Sequence, residues 1–263
     1  MRLWYQSFAR ATERGPYGEV LRTAVAAAAD PGTQVEVHAI ERGGGVADQY
    51  LYLEYLDTRE VIENAIAAER QGFDAFLIGN ILDPGIAPCR ELVQIPVLGL
   101  CETSLHIACM MGWRYGIVTV NSKFTPRIAS NVERSGLGQR MAAMELMHMP
   151  RLSSLAAGFH EGEAQQEILR QFTDAAKACL SKGAEVIIPA GGTVMAILAQ
   201  THMREIDGAP ILNGIPTLVK MGEAATKLRA LLGTFTSKAL SYAPPTGAVL
   251  DDIRHFYGPD IYS

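Results

Sequence analysis

The sequence predicts an α/β protein with mostly parallel sheets and two similar lobes. Short apolar runs alternate with longer amphipathic stretches along the 263 residues. Several runs are apolar almost throughout, which is typical of strands covered on both faces. Two segments, 72–80 and 183–191, repeat one order: a helix ends on glycine, an acidic residue follows two positions later, and an apolar strand comes next. The alternation predicts helices packed on parallel strands, and the repetition predicts an old duplication that made two lobes.

Eight apolar runs are the candidate strands of these sheets. They are RLWYQSF (2–8), QVEVHAI (34–40), DAFLIGN (74–80), PVLGLC (96–101), YGIVTV (115–120), MAAMELM (141–147), EVIIPA (185–190) and APILNG (209–214). The clearest helices are EVIENAIAAERQG (60–72) and EAQQEILRQFTDAAKACLSKG (163–183). In both helices apolar residues recur at helical spacing, and the final glycine is a plausible C-cap.

The two repeated segments end at Asn80 and Gly191. Each is followed by a strand that a proline introduces, at Pro96 and Pro210. Ligands of open α/β sheets bind outside the carboxyl ends of the strands. If a pseudo-twofold axis relates the lobes, Asn80 and Gly191 should face each other across one cleft. The alternative is that helix–glycine–strand units recur in α/β proteins simply because their connections share the same chemistry.

Composition and charge exclude several classes of protein. The net charge is −5 and the sequence pI is about 5.7, with no block of basic residues, which argues against nucleic acid as the main partner. No apolar run reaches the roughly 18 residues that span a bilayer, and the N-terminus lacks the apolar region of a secretory signal. The cysteines form no CxxC pair or metal-type cluster. We therefore expect a cytoplasmic protein with reduced thiols and no metal.

Four stretches carry a resemblance to a known family. They are GFDAFLIGNILDPG (72–85), IPVLGLCETSLHIACMMGWRYGIVTV (95–120), GAEVIIPAGGTVMAIL (183–198) and TSKALSYAPP (236–245). In this order they resemble the aspartate/glutamate racemase superfamily, in its hydantoin-racemase-like branch. The resemblance implies two flavodoxin-like lobes related by a pseudo-twofold, an active site between them, and no metal or organic cofactor. It also implies proton transfer at a carbon beside a carboxylate or carbonyl, with a cysteine from each lobe.

The sequence departs from that pattern at both cysteine positions. By motif they correspond to Asn80 and Gly191. An amide has no useful basicity near neutral pH and glycine has no side chain, so racemisation by two thiols at these positions is not possible. Arylmalonate decarboxylases of the same superfamily keep one thiol, on the second lobe, and this chain lacks that thiol as well.

The candidate catalytic residues are Asn80, Glu102, Cys101 and His106. The Asn80 amide could hold a substrate carboxylate or enolate, or could instead form an Asx-turn. Glu102 could act as a base, or could complement the dipole of a helix N-terminus. Cys101, placed near a strand end, could be a displaced acid/base or a small buried apolar residue. His106 lies four residues after Glu102 on a predicted helix, where it could pair with Glu102 or serve in packing.

The candidate binding residues follow strand ends or precede helices. Gly191 and Gly192 could bring backbone N–H groups to an anion, with Thr193 as a hydroxyl donor or cap; the alternative is a tight turn that needs glycine. Gln6 and Ser7 end the first strand, where the resemblance implies a loop that binds a substrate carboxylate. Tyr50 could be an aromatic lid or the exposed start of a helix. The remaining candidates are hydroxyl and amide donors at Thr103, Thr119 and Asn121.

We expect lobe one to contain residues 1–112 and 213–263, and lobe two residues 113–212. The first functional hypothesis is an enzyme of cofactor-independent carbon-acid chemistry on a small carboxylate or cyclic amide, of isomerase, decarboxylase or lyase type. Asn80, Thr119 and Thr193 would hold the anion, and Glu102 or Cys101 would move the proton. The alternatives are hydrolysis of a C–N or C–C bond with a carboxylate activating water, and a small-acid binding protein without catalysis. We also expect a homo-oligomer, with no membrane partner.

Overall fold

Two parallel sheets form the framework of the protein. A computed structural model describes residues 1–10, 15–45, 49–149 and 152–262. The first sheet has the order β2-β1-β3-β4 and the second the order β6-β5-β7, and all neighbouring strands in them are parallel. The strands are β1 (Arg2–Arg10), β2 (Gln34–Ile40), β3 (Ala75–Ile78), β4 (Val97–Gly99), β5 (Tyr115–Thr119), β6 (Met141–Leu146) and β7 (Val186–Ala190). The predicted α/β class with parallel sheets is confirmed.

Helices cover both sheets and connect their strands. They are α1 (Pro16–Ala28), α2 (Leu51–Arg70), α3 (Ile86–Leu92), α4 (Leu100–Met111), α5 (Thr125–Arg134), α6 (Glu163–Ser181), α7 (Gly192–Gln200), α8 (Gly214–Leu232) and α9 (Gly247–Tyr257). A 3₁₀ segment, Leu152–Phe159, precedes α6. Within the described ranges, no helix combines the length and the apolarity needed to cross a bilayer.

The two repeated helix ends have the same geometry. Gly72 and Gly183 both have positive φ, 76° and 90°, which is the left-handed conformation that glycine adopts without strain. In each case the N–H of the glycine bonds the carbonyl three residues earlier, and the next N–H bonds the carbonyl five residues earlier. The predicted glycine ends are therefore confirmed. The first of these helices begins earlier than predicted, at Leu51 rather than at residue 60.

Two predicted strands are much shorter than their apolar runs. The run 96–101 forms a strand only over Val97–Gly99, because the carboxylate of Asp83 accepts the N–H groups of Cys101 and Glu102 at 2.9 and 2.8 Å and starts α4 there. The prediction that Cys101 lies at a strand end is therefore wrong.

The run 209–214 gives only β9 (Ala209–Pro210), which pairs antiparallel with β8 (Glu205–Ile206). Ile211 adds a single parallel bridge to Ile187. The strand cannot continue because the Asn213 side chain accepts the N–H of Ile215 at 3.1 Å and caps α8. The prediction of a full strand at 209–214 is wrong for this reason.

After the second sheet the chain returns to the first. Helix α8 packs on α1 and on β3, and the Asp30 N–H donates to the Glu223 carboxylate at 2.7 Å. Lys238 then donates to three carbonyls at the end of α3, including those of Glu91 and Val93 at 2.9 Å each. The lobe boundaries at 112/113 and 212/213 are compatible with these contacts and stay a prediction.

Candidate active site

A cavity of about 480 Å³ lies where the tips of β3 and β7 converge. Its volume suits a small organic molecule. The tip of β3 contributes Gly79, Asn80 and Ile81, and the tip of β7 contributes Gly191, Gly192 and Thr193. The other described lining residues are Phe8, Ala9, Arg10, Tyr17, Gly45, Val120, Phe124, Ser153, Leu155, Ala156 and Phe159. The prediction that Asn80 and Gly191 border one cleft is therefore confirmed, while their chemical roles stay predictions.

Asn80 is held in a defined orientation at the β3 tip. It is 7% exposed, and its Oδ1 accepts the N–H of Leu82 at 2.8 Å. Its backbone carbonyl accepts the N–H of Asp83 at 3.1 Å. The Asx-turn that was the alternative is therefore present. The side-chain carbonyl thus serves the turn, and the amide nitrogen is the donor group of the Asn80 side chain.

The β7 tip is a helix N-terminus. Gly191 caps α7, and Gly192 and Thr193 are its first two residues. The first N–H groups of a helix have no partner within the helix and carry the positive end of its dipole. Arg10, exposed at the end of β1, adds a cation to the same cavity. The polar part of the cavity therefore favours an anion.

The remaining walls are largely apolar. Phe8, Ile81 and Val120 come from three strand tips, and Leu155 and Phe159 come from the 3₁₀ segment. Such walls exclude water and strengthen electrostatic interactions inside the cavity. The arrangement suits a ligand with one anionic edge and one apolar side.

Cys101, Glu102 and Thr103 lie in the first turn of α4 and do not line the cavity. The pKa of the Cys101 thiol is raised well above its usual range, chiefly by burial and further by nearby Asp83, so the thiol keeps its proton. Glu102 forms a two-pronged ion pair with Arg90, in which Nη1 donates to Oε1 at 3.1 Å. Catalytic roles for Cys101 and Glu102 have no support from these positions.

His106 is exposed on α4, one turn after Glu102, and also lies outside the cavity lining. Thr103 is 6% exposed on the same helix. The apolar run 96–101 predicted that β4 extends to residue 101, two residues beyond its observed end. Because the Asp83 carboxylate accepts the N–H groups of Cys101 and Glu102, α4 begins at Leu100 and these predicted site residues lie on it, outside the cavity lining.

Gln6 and Ser7 are interior residues. The side-chain Oε1 of Gln6 accepts from Trp4 Nε1 at 3.1 Å and from Asn64 Nδ2 at 2.9 Å, and its Nε2 donates to the Ser7 backbone carbonyl at 3.0 Å. The Ser7 hydroxyl accepts the N–H of Ala9 at 3.1 Å. Because β1 continues to Arg10, the residues that reach the cavity are the three after Ser7. Gln6 and Ser7 therefore do not line the cavity, and Phe8, Ala9 and Arg10 do so instead.

Thr119 and Asn121 flank the cavity residue Val120 without lining the cavity. Thr119 is fully buried and its hydroxyl lies 3.1 Å from that of Thr125. Asn121 donates to the Gln49 side chain at 3.2 Å and so links the tip of β5 to the segment before α2. Tyr50 is 50% exposed at the start of α2. This position is the exposed helix start that was the alternative to the predicted lid. Asp48, two residues earlier, lies outside the described residues.

Tyr17 and Arg10 line the cavity but were not among the predicted site residues. Their positions could have indicated them, because β1 ends and α1 begins at the same sheet edge as Asn80. The 3₁₀ segment gave no such signal, since it has neither strand nor helix periodicity.

Asp83 connects the Asn80 turn to α4 and should make stability depend on pH. Burial raises the pKa of Asp83 to about 7, against an ordinary value of 3.8, although its bonds to the N–H groups of Glu102 and Cys101 lower it. The folded state thus binds this proton more tightly than the unfolded state. Its stabilisation is complete below pH 3.8 and is lost as the pH rises through about 7.

We expect the wild-type free energy of unfolding to contain a term that falls by on the order of a few kcal/mol between pH 4 and pH 7. Asp83→Asn cannot ionise and should lack that term. Urea denaturation at several pH values in this range gives the free energy of unfolding of both proteins as a function of pH. If this free energy changes with pH in the same way for both proteins, Asp83 has the same pKa in the folded and unfolded states.

Comparisons with known proteins agree with this geometry. Residues 17–222 match the family model described as Asp/Glu/Hydantoin racemase. A hydantoin racemase from Pseudomonas sp. (strain NS671) is 31% identical over 222 residues, 84% of each chain. An allantoin racemase from Klebsiella pneumoniae is 27% identical, with 94% of each chain covered and a TM-score of 0.78. An allantoin racemase from Pseudomonas fluorescens is 24% identical, with 94% of this chain and 98% of that chain covered and a TM-score of 0.77.

Proposed function

Because the chain belongs to the Asp/Glu/hydantoin racemase family, we propose that it is an enzyme that carries out carbon-acid chemistry through an enolate, without a cofactor. The substrate is a small carboxylate or a cyclic amide such as a hydantoin. The reaction is of isomerase, decarboxylase or lyase type. The observation that carries this proposal is the single cavity shared by the tips of β3 and β7.

The cavity supplies what an enolate needs. When a proton or CO2 leaves a carbon beside a carbonyl, the bonding electron pair stays behind and negative charge develops on the carbonyl oxygen. The N-terminus of α7 at Gly192 and Thr193 offers donors for that oxygen, and Asn80 lines the cavity from the opposite tip. Preorganised donors of this kind lower the barrier because they need no reorganisation during the reaction.

The apolar walls support the same chemistry. Phe8, Val120 and Phe159 lie around the polar tips and provide a surface for a side chain or ring on the substrate. They also keep water from the enolate, which would otherwise be protonated without control. Racemisation by two thiols is not part of the proposal, because Asn80 and Gly191 stand at the positions that the resemblance assigns to cysteine.

Deuterium exchange tests the proposal. We expect the protein in D2O to place deuterium at C5 of 5-benzylhydantoin, or to convert 2-methyl-2-phenylmalonate to 2-phenylpropionate with release of CO2. Proton NMR follows both reactions. Gly192→Val is the blocked variant for both reactions, and it should slow them. Its branched side chain would collide with the Tyr17 hydroxyl, which lies 2.8 Å from the position of the added Cβ, and would narrow the cavity.

Other outcomes identify the alternatives. Cleavage of the hydantoin ring without exchange would indicate a hydrolase, although Glu102, the proposed base for water, is paired with Arg90 away from the cavity. Binding of either compound with no turnover would indicate a binding protein. Either result would contradict carbon-acid catalysis.

Assembly and location stay predictions. Helix α2 exposes Tyr50, Leu51, Tyr52 and Tyr55, each at least half exposed, which is an apolar face of the kind that pairs subunits. The homo-oligomer and the cytoplasmic location expected from the sequence are retained as part of this proposal.

A further inference from the structure

Tyr17 occupies a special place in the candidate site. Helix α1 begins with Pro16 after Gly15, which puts Tyr17 in the first turn, at the cavity edge of the helix. Its ring packs against Phe159, with 6.2 Å between ring centroids and 52° between planes. The side chain is half-buried. The ring is thus held by packing at the cavity wall.

The Tyr17 hydroxyl lies close to Gly192, at the tip of β7. A Cβ added to Gly192 would be 2.8 Å from this hydroxyl and 3.8 Å from the ring carbon that carries it. The same point lies 4.0 Å from the carbonyl oxygen of Gly79, at the other tip. The phenol therefore stands beside Gly192, in the same cavity as Asn80 and Gly191, the positions that the resemblance assigns to the two thiols.

Tyr17 is also the lining residue with a proton to transfer. Among the described lining residues, only Arg10 and Tyr17 have titratable side chains. A guanidinium stays protonated under all ordinary conditions. The neighbouring phenol of Tyr5 is fully buried and outside the lining, and burial raises its pKa well above the usual range, so Tyr5 does not compete.

We propose that the Tyr17 hydroxyl is the catalytic proton donor that protonates the enolate carbon, in place of the thiols. This rests on the proposed enolate function. In the step, the phenolic O–H bond breaks and its proton moves to the α-carbon. The electron pair of the enolate becomes the new C–H bond, and the phenolate that remains takes a proton from water. Because the donor stands on one side of the cavity, protonation occurs on one face of the substrate.

Tyr17→Phe tests this role, because it removes the hydroxyl and keeps the ring against Phe159. With 2-methyl-2-phenylmalonate we expect kcat to fall by about 10²-fold or more, the usual contribution of a general acid. We also expect the remaining 2-phenylpropionate to lose its enantiomeric excess, because water protonates both faces. Chiral chromatography measures the enantiomers, and 5-benzylhydantoin exchange gives a second rate.

Tyr52→Phe is the matched control. Tyr52 is 71% exposed on α2, outside the cavity lining, and its loss of a hydroxyl should change neither rate nor stereochemistry. Thermal melting of both variants establishes that they fold. If Tyr17→Phe does not fold, Gly192→Ala serves instead, since the added methyl group displaces the hydroxyl while leaving the phenol present.

The outcomes separate this inference from the proposed function. Suppose that the wild type is active and that Tyr17→Phe has a rate within about threefold of it and the same enantiomeric excess. This result would overturn the role of Tyr17 and leave the enolate function standing. A wild type that processes neither probe would overturn the function itself, and the role of Tyr17 with it. Loss of both rate and stereochemistry only in the Tyr17 variant supports the inference.

Discussion

Gly192→Ala is expected to lower kcat/KM by about 10²-fold, a loss typical of misplacing a reacting group by roughly 1 Å. The reason is geometric, because the new Cβ would lie 2.8 Å from the Tyr17 hydroxyl, closer than real Cβ contacts allow. The backbone of Gly192 needs no special conformation, so the fold should tolerate the change. Steady-state kinetics on 5-benzylhydantoin and 2-methyl-2-phenylmalonate measure the effect.

The same substitution behaves differently when the hydroxyl is absent. In a Tyr17→Phe background the nearest remaining ring atom is 3.8 Å from the added Cβ, an ordinary contact. Gly192→Ala should therefore cost less than about threefold there, and the double-mutant cycle should show strong coupling. Gly191→Ala is the comparison for coupling, because the three atoms nearest to its Cβ belong to Val120, the closest at 3.2 Å, and it should therefore show no coupling to Tyr17→Phe. Equal losses for Gly192→Ala in both backgrounds would mean that the hydroxyl is not what the methyl group displaces.

Asn80→Cys/Gly191→Cys is expected to create racemisation that the wild type lacks. Both positions line the cavity, and a side chain at Gly191 needs Val120 to move by only a few tenths of an ångström. With a thiol at each tip, one could take a proton from one face and the other could return one on the opposite face. We expect inversion of 5-benzylhydantoin to accompany deuterium exchange in the double variant.

Each single variant is the control for the pair. Asn80→Cys and Gly191→Cys each supply one thiol and should invert the substrate far more slowly than the double variant. Asn80→Cys also removes the Asn80 bond to the N–H of Leu82, so melting temperatures must accompany the rates. A well-folded double variant that inverts no faster than the singles would mean that the tips do not address one substrate carbon.

The α/β class and the convergence of the two tips could be predicted because both depend on local patterns. Buried parallel strands read as apolar runs, and Gly72 and Gly183 mark helix ends through their left-handed conformation. The rule that ligands bind at the carboxyl ends of strands then placed Asn80 and Gly191 correctly. These features need no knowledge of long-range side-chain contacts.

The α4 residues could not be placed for the opposite reason. The end of β4 depends on Asp83, which caps α4 from 18 residues earlier in the chain. Glu102 pairs with Arg90 across the same helix start, and no local pattern distinguishes that ion pair from a catalytic carboxylate. The start of α1 at the sheet edge of Asn80 could have indicated that Tyr17 lies near the cavity, but its closeness to Gly192 depends on α7 and follows from no local pattern.

We propose that residues 80 and 191 face one cavity and that this cavity binds the substrate. Thiol chemistry on Asn80→Cys/Gly191→Cys, with mass spectrometry to locate the modified residues, tests this placement. We expect dibromobimane to bridge positions 80 and 191 within one chain, and 5-benzylhydantoin to protect both positions together. Independent labelling of the two thiols, with no bridge and no protection by the hydantoin, would contradict it.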